Sequence, residues 1–192
     1  CTQDKIPISS SSDVQKEQDT LPEAEITPEE EPFLYGYQNL NEEEKTRYRQ
    51  ILAGIENYED SVTVEACSEE EINKVSNLVF VDHPEIFWLE QQNYSFNQKE
   101  NSDVDLLELN LVYNMGKDEI EDTKQQIEAK AEEWSQELSN CENEYDKIKY
   151  VYEFLGKNVL YDSESENNQN IQSVFLTQST VCMGFAKATQ YL

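Results

Sequence analysis

A stripe of apolar side chains in the second half of the sequence most constrains how this chain can fold. Its nine members recur at alternating steps of four and three residues: Ile127, Ala131, Trp134, Leu138, Cys141, Tyr145, Ile148, Tyr152 and Leu155. This spacing predicts an amphipathic helix, or two helices joined near Asn140–Asn143, that buries the stripe. A coiled-coil partner would also explain it. However, the opposite face lacks a regular charge pattern, which favours packing within the chain's own domain.

Two earlier helices are predicted from their N-terminal signals. Asn41 and Ser68 each precede three consecutive glutamates, which is the pattern of an N-cap followed by carboxylates in the first turn. The first helix should run to about Tyr58. The second should end at Asp82, because the proline two residues later disfavours helical backbone before it.

Short runs of β-forming residues predict a small sheet between and after these helices. The predicted strands cover residues 61–66, 94–96 and 106–113, and the last has alternating apolar side chains. Residues 33–115 are therefore predicted to be a helix-rich N-terminal α+β region.

The first 32 residues have a composition that differs from the rest. They contain four of the five prolines, the run Ser9–Ser12 and the acidic run Glu29–Glu31, with few apolar residues. Such a segment cannot bury enough apolar surface to offset the entropy of folding. Residues 1–32 are predicted to be a disordered, acidic stalk.

The charge balance bears on possible partners. There are 41 acidic and 14 basic residues, for a formal net charge of −27. Nucleic-acid binding requires clustered Lys and Arg, so we expect no nucleic-acid partner. No run of residues approaches the ~20 apolar positions of a membrane span.

Cys182 is the candidate reactive residue. It follows a small polar turn and precedes an apolar, helix-forming run that ends at Leu192. If a helix starts near Thr180, Cys182 lies in its first turn, where unpaired N–H groups favour the thiolate, the reactive form of cysteine. Gly184 would allow close approach of a substrate or a neighbouring strand. A buried structural cysteine on an ordinary helix is the alternative.

Three segments, in order, carry a family resemblance. The run Val181-Cys-Met-Gly-Phe-Ala-Lys-Ala188 resembles the nucleophile segment of the transglutaminase-like (papain-like) superfamily, in its bacterial surface-protein branch. Residues 145–162 resemble the helix and Tyr-Asp strand end that precede that segment. Residues 81–89 resemble a segment common in the N-terminal region of the same proteins. The resemblance implies that residues 116–192 are the helical first half of a transglutaminase-like domain.

The resemblance also implies a chemistry. In this superfamily the cysteine attacks a carboxamide or peptide carbonyl, a histidine accepts the proton, and an Asp or Asn orients the histidine. Those partners follow the nucleophile helix in the family, whereas His83 precedes Cys182 and is predicted to be structural. The sequence thus lacks a complete triad. We expect it to be part of a longer protein, because an apolar helix would otherwise be left unpacked.

Cys1 suggests how the protein is located. A mature chain that begins with cysteine and continues into a polar, Ser-rich segment looks like a bacterial lipoprotein after signal cleavage. We expect a lipid on Cys1 and an anchor on the extracellular face of the cell membrane. The alternative is that the sequence simply begins there.

The remaining cysteines and acidic residues suggest no further chemistry. Cys67 and Cys141 could form a disulfide, but both lie in apolar patterns, which slightly favours free thiols. The acidic loop Asp162–Glu166 lacks the ligand spacing of a calcium site. We expect no cofactor and no metal.

The sequence therefore leads to a surface lipoprotein that performs acyl transfer on peptide or glutamine carbonyls, as crosslinking or hydrolysis. A protein or peptide substrate is expected. Two alternatives stay open: a non-catalytic binding or scaffold lipoprotein that keeps the fold, and a helical interaction module built on the apolar stripe.

Overall fold

The N-terminal part of the chain is packed from residue 21 onwards in the computed structural model, which describes residues 21–90, 96–99 and 106–192. Ala24 is buried and its N–H donates to Arg49 O at 2.9 Å. Glu23 Oε2 accepts from Arg49 Nε at 2.7 Å. The prediction of a disordered stalk is thus wrong for residues 21–32, because these contacts hold them against the following helix. Residues 1–20, with Cys1, lie outside the described residues.

The two capped helices form where the sequence predicts them. A short helix α1 (Tyr35–Gln38) precedes α2 (Glu42–Glu56), and α3 spans Glu69–Asp82. Asn41 Oδ1 accepts from Glu44 N at 3.0 Å, and Glu44 Oε2 accepts from Asn41 N at 2.9 Å. This reciprocal pair is a capping box, and Ser68 caps α3 in the same position.

The small sheet packs against α2. It contains β1 (Ser61–Glu65), β2 (Phe96–Lys99) and β3 (Leu106–Asn110), in the antiparallel order β1-β3-β2. The strands predicted at residues 61–66 and 106–113 are confirmed over their first five residues. The strand predicted at residues 94–96 is present from Phe96 to Lys99, and its first two predicted residues, Tyr94 and Ser95, lie outside the described residues.

The stripe-bearing segment is two helices rather than one. Helix α4 (Lys117–Ser135) continues into a 3-10 turn (Gln136–Asn140), and α5 spans Glu144–Asn158. Asn143 caps α5 by accepting from Asp146 N at 3.0 Å. The break falls where the sequence allowed two helices to be joined.

Three side chains in the second half of the stripe are not buried. Ile127, Trp134 and Leu155 lie in the core, but Tyr145, Ile148 and Tyr152 are 72%, 62% and 75% exposed: the predicted buried face of α5 is wrong at these three positions. The turn before α5 resets the helical phase, so a period carried across it selects the wrong face. Helix α5 instead turns Val151 and Leu155 inward.

The C-terminal segment positions the cysteine helix on a two-stranded parallel ribbon. Strand β4 (Leu160–Tyr161) pairs with β5 (Ser179–Thr180), and a π-helical turn (Ser173–Thr177) lies between them. Helix α6 (Cys182–Tyr191) follows β5 after one residue.

Both predicted regions share one core. The buried side chains of residues 24–111 and of residues 120–188 belong to a single apolar cluster. Trp88, in the segment between α3 and the sheet, lies under Lys124 of α4, whose Nζ is 4.1 Å from the ring centroid. The architecture is helix-rich α+β, as the sequence predicts. Within the described residues, none of the helices combines the length and apolarity of a membrane span.

Candidate functional site

Cys182 is the first residue of α6 and is exposed to solvent. The first helical hydrogen bond that joins α6 to its N-cap runs from Phe185 N to Val181 O, at 3.1 Å. The N–H groups of Cys182, Met183 and Gly184 therefore precede the regular helical bonding. Within the described part of the chain, no side chain caps this end of α6. The predicted position of Cys182 in a first helical turn is confirmed.

The parallel ribbon fixes the direction in which α6 begins. Leu160 N donates to Gln178 O at 2.8 Å, and Asp162 N donates to Thr180 O at 2.9 Å. The ring of Tyr161 stacks on Phe185, with ring planes 8° apart and centroids 6.5 Å apart. The end of β4 thus lies beside the first turn of α6.

Gly184 is required by close packing of the ribbon against α6. Thr180 Oγ1 accepts from Ser173 Oγ at 2.7 Å and donates to Asn168 O at 2.9 Å. A Cβ on Gly184 would overlap Thr180 Oγ1 and lie 3.1 Å from Asn168 O. Of the two roles that the sequence suggested for Gly184, the structure shows contact with a neighbouring strand.

His83 lies away from Cys182. It ends α3, its Nδ1 is 2.7 Å from Glu85 Oε1, and its Nε2 is buried with no partner among the described residues. The carbonyl oxygen of Val81, two residues before His83, accepts from Gln190 Nε2 at 2.9 Å. Gln190 is eight residues after Cys182, which is about 12 Å along a helix. The His83 segment therefore contacts the opposite end of α6.

The other residues considered from the sequence lie in several parts of the structure. Gln178 and Tyr161, which could have supplied an oxyanion donor, are both exposed, and Gln178 has left-handed backbone (φ 52°). Cys67 and Cys141 are separate, half-buried free thiols, and burial raises the pKa of Cys67. Across residues 21–90, 96–99 and 106–192, no His, Cys, Asp and Glu side chains cluster as a metal site would require.

A cavity that sequence reasoning missed lies along α6. Its volume is about 600 Å³, and Met183 and Lys187 line it from one face of α6. Burial lowers the pKa of the Lys187 ammonium. The signal that could have found it is a single lysine in an otherwise apolar helical run, four residues after Met183.

Comparisons with known proteins give a distant structural match. No family model matches the chain, and no curated protein matches it. Among solved structures, the chain is similar to the crystal structure of a TGase. Sequence identity is 16% and the TM-score is 0.32. The match covers 67% of this chain and 40% of the other, so this chain spans less than half the length of the TGase it matches. A match at this level does not establish a family.

Proposed function

We propose that this chain carries the nucleophile of a transglutaminase-like acyltransferase or cysteine peptidase, and that the nucleophile is Cys182. One observation carries the proposal: an exposed cysteine is the first residue of a ten-residue helix whose first turn is not capped by any side chain that the structure describes. Free N–H groups at a helix start favour an anion, which is the form in which a cysteine attacks. The sequence resemblance of residues 81–89, 145–162 and 181–188 supports the same assignment.

The proposed reaction is acyl transfer through a thioester. A base takes the proton of the Cys182 thiol, and the thiolate attacks the carbonyl carbon of a glutamine carboxamide or a peptide. The C–N bond then breaks as the same group returns that proton to the leaving nitrogen. An amine or water then attacks the thioester, which gives crosslinking or hydrolysis and returns the thiolate. The N–H of Cys182 is the proposed donor to the oxyanion.

Besides the nucleophile, the proposed reaction requires a base that accepts the proton of Cys182. His83 lies at the opposite end of α6, and the superfamily places its histidine after the nucleophile helix. The activity assay therefore uses the longest form of the protein that its own cells produce. Glutamine-containing peptide and a fluorescent primary amine report crosslinking, and release of new peptide termini reports hydrolysis. Loss of both in Cys182→Ser, but not in Cys141→Ser, would support the proposal. Equal activity in both variants would overturn it.

Reactivity of Cys182 can be measured without any substrate. We expect iodoacetamide to alkylate Cys182 faster than Cys67 between about pH 6 and 8, because the thiolate is the reactive form and burial disfavours it at Cys67. Peptide mass spectrometry resolves the three sites, with half-buried Cys141 as a second reference. A Cys182 rate no higher than that of Cys141 would argue against an activated nucleophile.

We further propose that the protein is anchored by a lipid on Cys1 at the extracellular face of the membrane. The support is the N-terminal cysteine and the Ser-rich segment after it. Intact mass of the native protein from its own cells tests the lipid. A lipid adduct on Cys1 supports the anchor, whereas an unmodified Cys1 excludes it.

A binding or scaffold role is the second candidate. The observation that favours it is the exposed face of α5 formed by Tyr145, Ile148 and Tyr152, since adjacent large apolar side chains mark interaction surfaces. The two candidate functions predict opposite effects for two variants. Tyr152→Ser should abolish a binding role and leave thioester chemistry intact, and Cys182→Ser should do the reverse.

A further inference from the structure

The cavity beside α6 has the features of a ligand site. Its apolar lining includes Phe87, Leu89 and Met183, and amide side chains line it from Asn114 and Asn167. The apolar residues before the sheet thus face the loop that precedes the π-helical turn. A volume of about 600 Å³ is in the range of small-molecule and short-peptide sites.

Lys187, which lines this cavity, differs from most basic residues of the chain in its surroundings. The chain has 41 acidic and 14 basic residues, and most described basic side chains have an acidic neighbour within 4 Å. Lys187 has no ion pair among the described residues although it is partly buried. Lys117 and Lys149 are likewise without an ion pair there, but both are exposed, where water solvates the charge.

Partial burial of an ammonium without a counter-ion costs free energy, and a ligand that supplies the negative charge would offset this cost. The lowered pKa of Lys187 is consistent with this loss of solvation. We infer that the cavity binds a carboxylate carried on a short peptide-like ligand, with Lys187 as its counter-ion. The inference concerns binding only and does not depend on chemistry at Cys182.

The cavity lining favours a monoanion with amide groups. A phosphate would call for several cations, whereas Lys187 is the one basic residue among the described residues that line the cavity, and Glu90 adds a negative charge at an exposed position. Asn114 Nδ2 donates to Phe87 O at 3.0 Å, which fixes its side chain and leaves Oδ1 as an acceptor for a ligand N–H. Asn167 has left-handed backbone (φ 54°), a conformation that Asn tolerates.

The test compares three acetylated probes by two-dimensional 15N NMR of the purified protein. They are N-acetyl-Ala-Ala with a free C-terminal carboxylate, its C-terminal amide, and N-acetyl-glutamate methylamide. We expect both acids to shift the amide signals of residues 167–170 and Met183, and the neutral amide to bind at least about tenfold more weakly. The tighter acid shows whether a terminal or a side-chain carboxylate is preferred. Equal binding of acid and amide, or no shift with either acid, overturns the inference.

A matched pair of variants assigns the effect to one lysine. Lys187→Met keeps the side-chain length and removes the charge. It should weaken binding of the two acid probes by about tenfold or more and leave binding of the amide probe unchanged. Lys149→Met changes the net charge equally at an exposed site and should bind like the unaltered protein. Undiminished binding of the acids to folded Lys187→Met would also overturn the inference.

Discussion

Gly184 lies at the point where α6 passes closest to the ribbon and the loop beside it. Thr180 Oγ1 is fully engaged there, with Ser173 and with Asn168 O, and Thr180 is buried. A side chain at residue 184 must therefore displace a hydrogen-bonded group rather than a mobile one. The start of α6, and with it Cys182, depends on this contact.

We expect Gly184→Ala to lower the free energy of unfolding by about 1–3 kcal/mol, because the new methyl group overlaps Thr180 Oγ1. Urea denaturation followed by circular dichroism measures the change. Gly156→Ala is the matched control: it lies in α5 with nothing within 4 Å of an added Cβ, so the better helix former should leave stability equal or slightly higher. Equal stability of the two variants would show that the ribbon can move to accommodate the methyl group without loss of free energy of unfolding.

The sequence predicts the position of a single residue when its neighbours in the chain determine that position. Cys182 was placed in a first helical turn because turn residues precede it and helix formers follow it. Lys187 could not be assigned, because its cavity is closed by residues 86–90 and 114, far away in the chain. The same holds for His83, whose distance from Cys182 is set by how α3 and α6 pack.

Among the elements, helix starts were predictable and helix faces less so. Asn41, Ser68 and Asn143 each cap a helix through a hydrogen bond three residues away, which the sequence contains entirely. The buried face of α5 depends instead on the 3-10 turn before it, and no residue pattern specified that change of phase. The chain therefore exposes Tyr145 and Tyr152 although their spacing predicted burial.

The start of α2 should make stability depend on pH. The pKa of Glu44 is lowered chiefly by its hydrogen bond from Lys74 Nζ, at 2.6 Å, and burial opposes this shift. A lowered folded-state pKa stabilises the fold above the unfolded-chain pKa of about 4.3, and that contribution is lost as the pH falls through the folded-state pKa. Glu44→Gln should thus cost about 1 kcal/mol at pH 7 and nothing near pH 2.

Thermal or urea unfolding between those pH values measures the difference. Glu70→Gln is the control, because Glu70 occupies the first turn of α3, is exposed, and has no ion pair among the described residues. It should be close to neutral throughout. A constant penalty for Glu44→Gln at every pH would show that the loss comes from packing and not from the carboxylate charge.

For the whole molecule, the shared core decides how the chain unfolds. The sequence divided residues 33–115 from residues 116–192, and the composition gives no sign that their apolar side chains merge. In the structure, Trp88 of the first region lies under Lys124 of the second, and Gln190 donates to Val81 O. Apolar pattern assigns a side chain to a buried face, but not to the element that covers it.

The two tryptophans allow this coupling to be tested, since Trp88 lies in the first region and Trp134 in the second. We expect Leu155→Ala, which empties a fully buried position in α5, to cost about 2–5 kcal/mol. Because one core joins the regions, both tryptophans should report the same lowered midpoint. Fluorotryptophan labelling gives each residue its own 19F NMR signal during urea unfolding, and a Trp134→Phe variant assigns them. If the Trp134 signal moved to a lower midpoint while that of Trp88 did not, the two regions would be separate folding units.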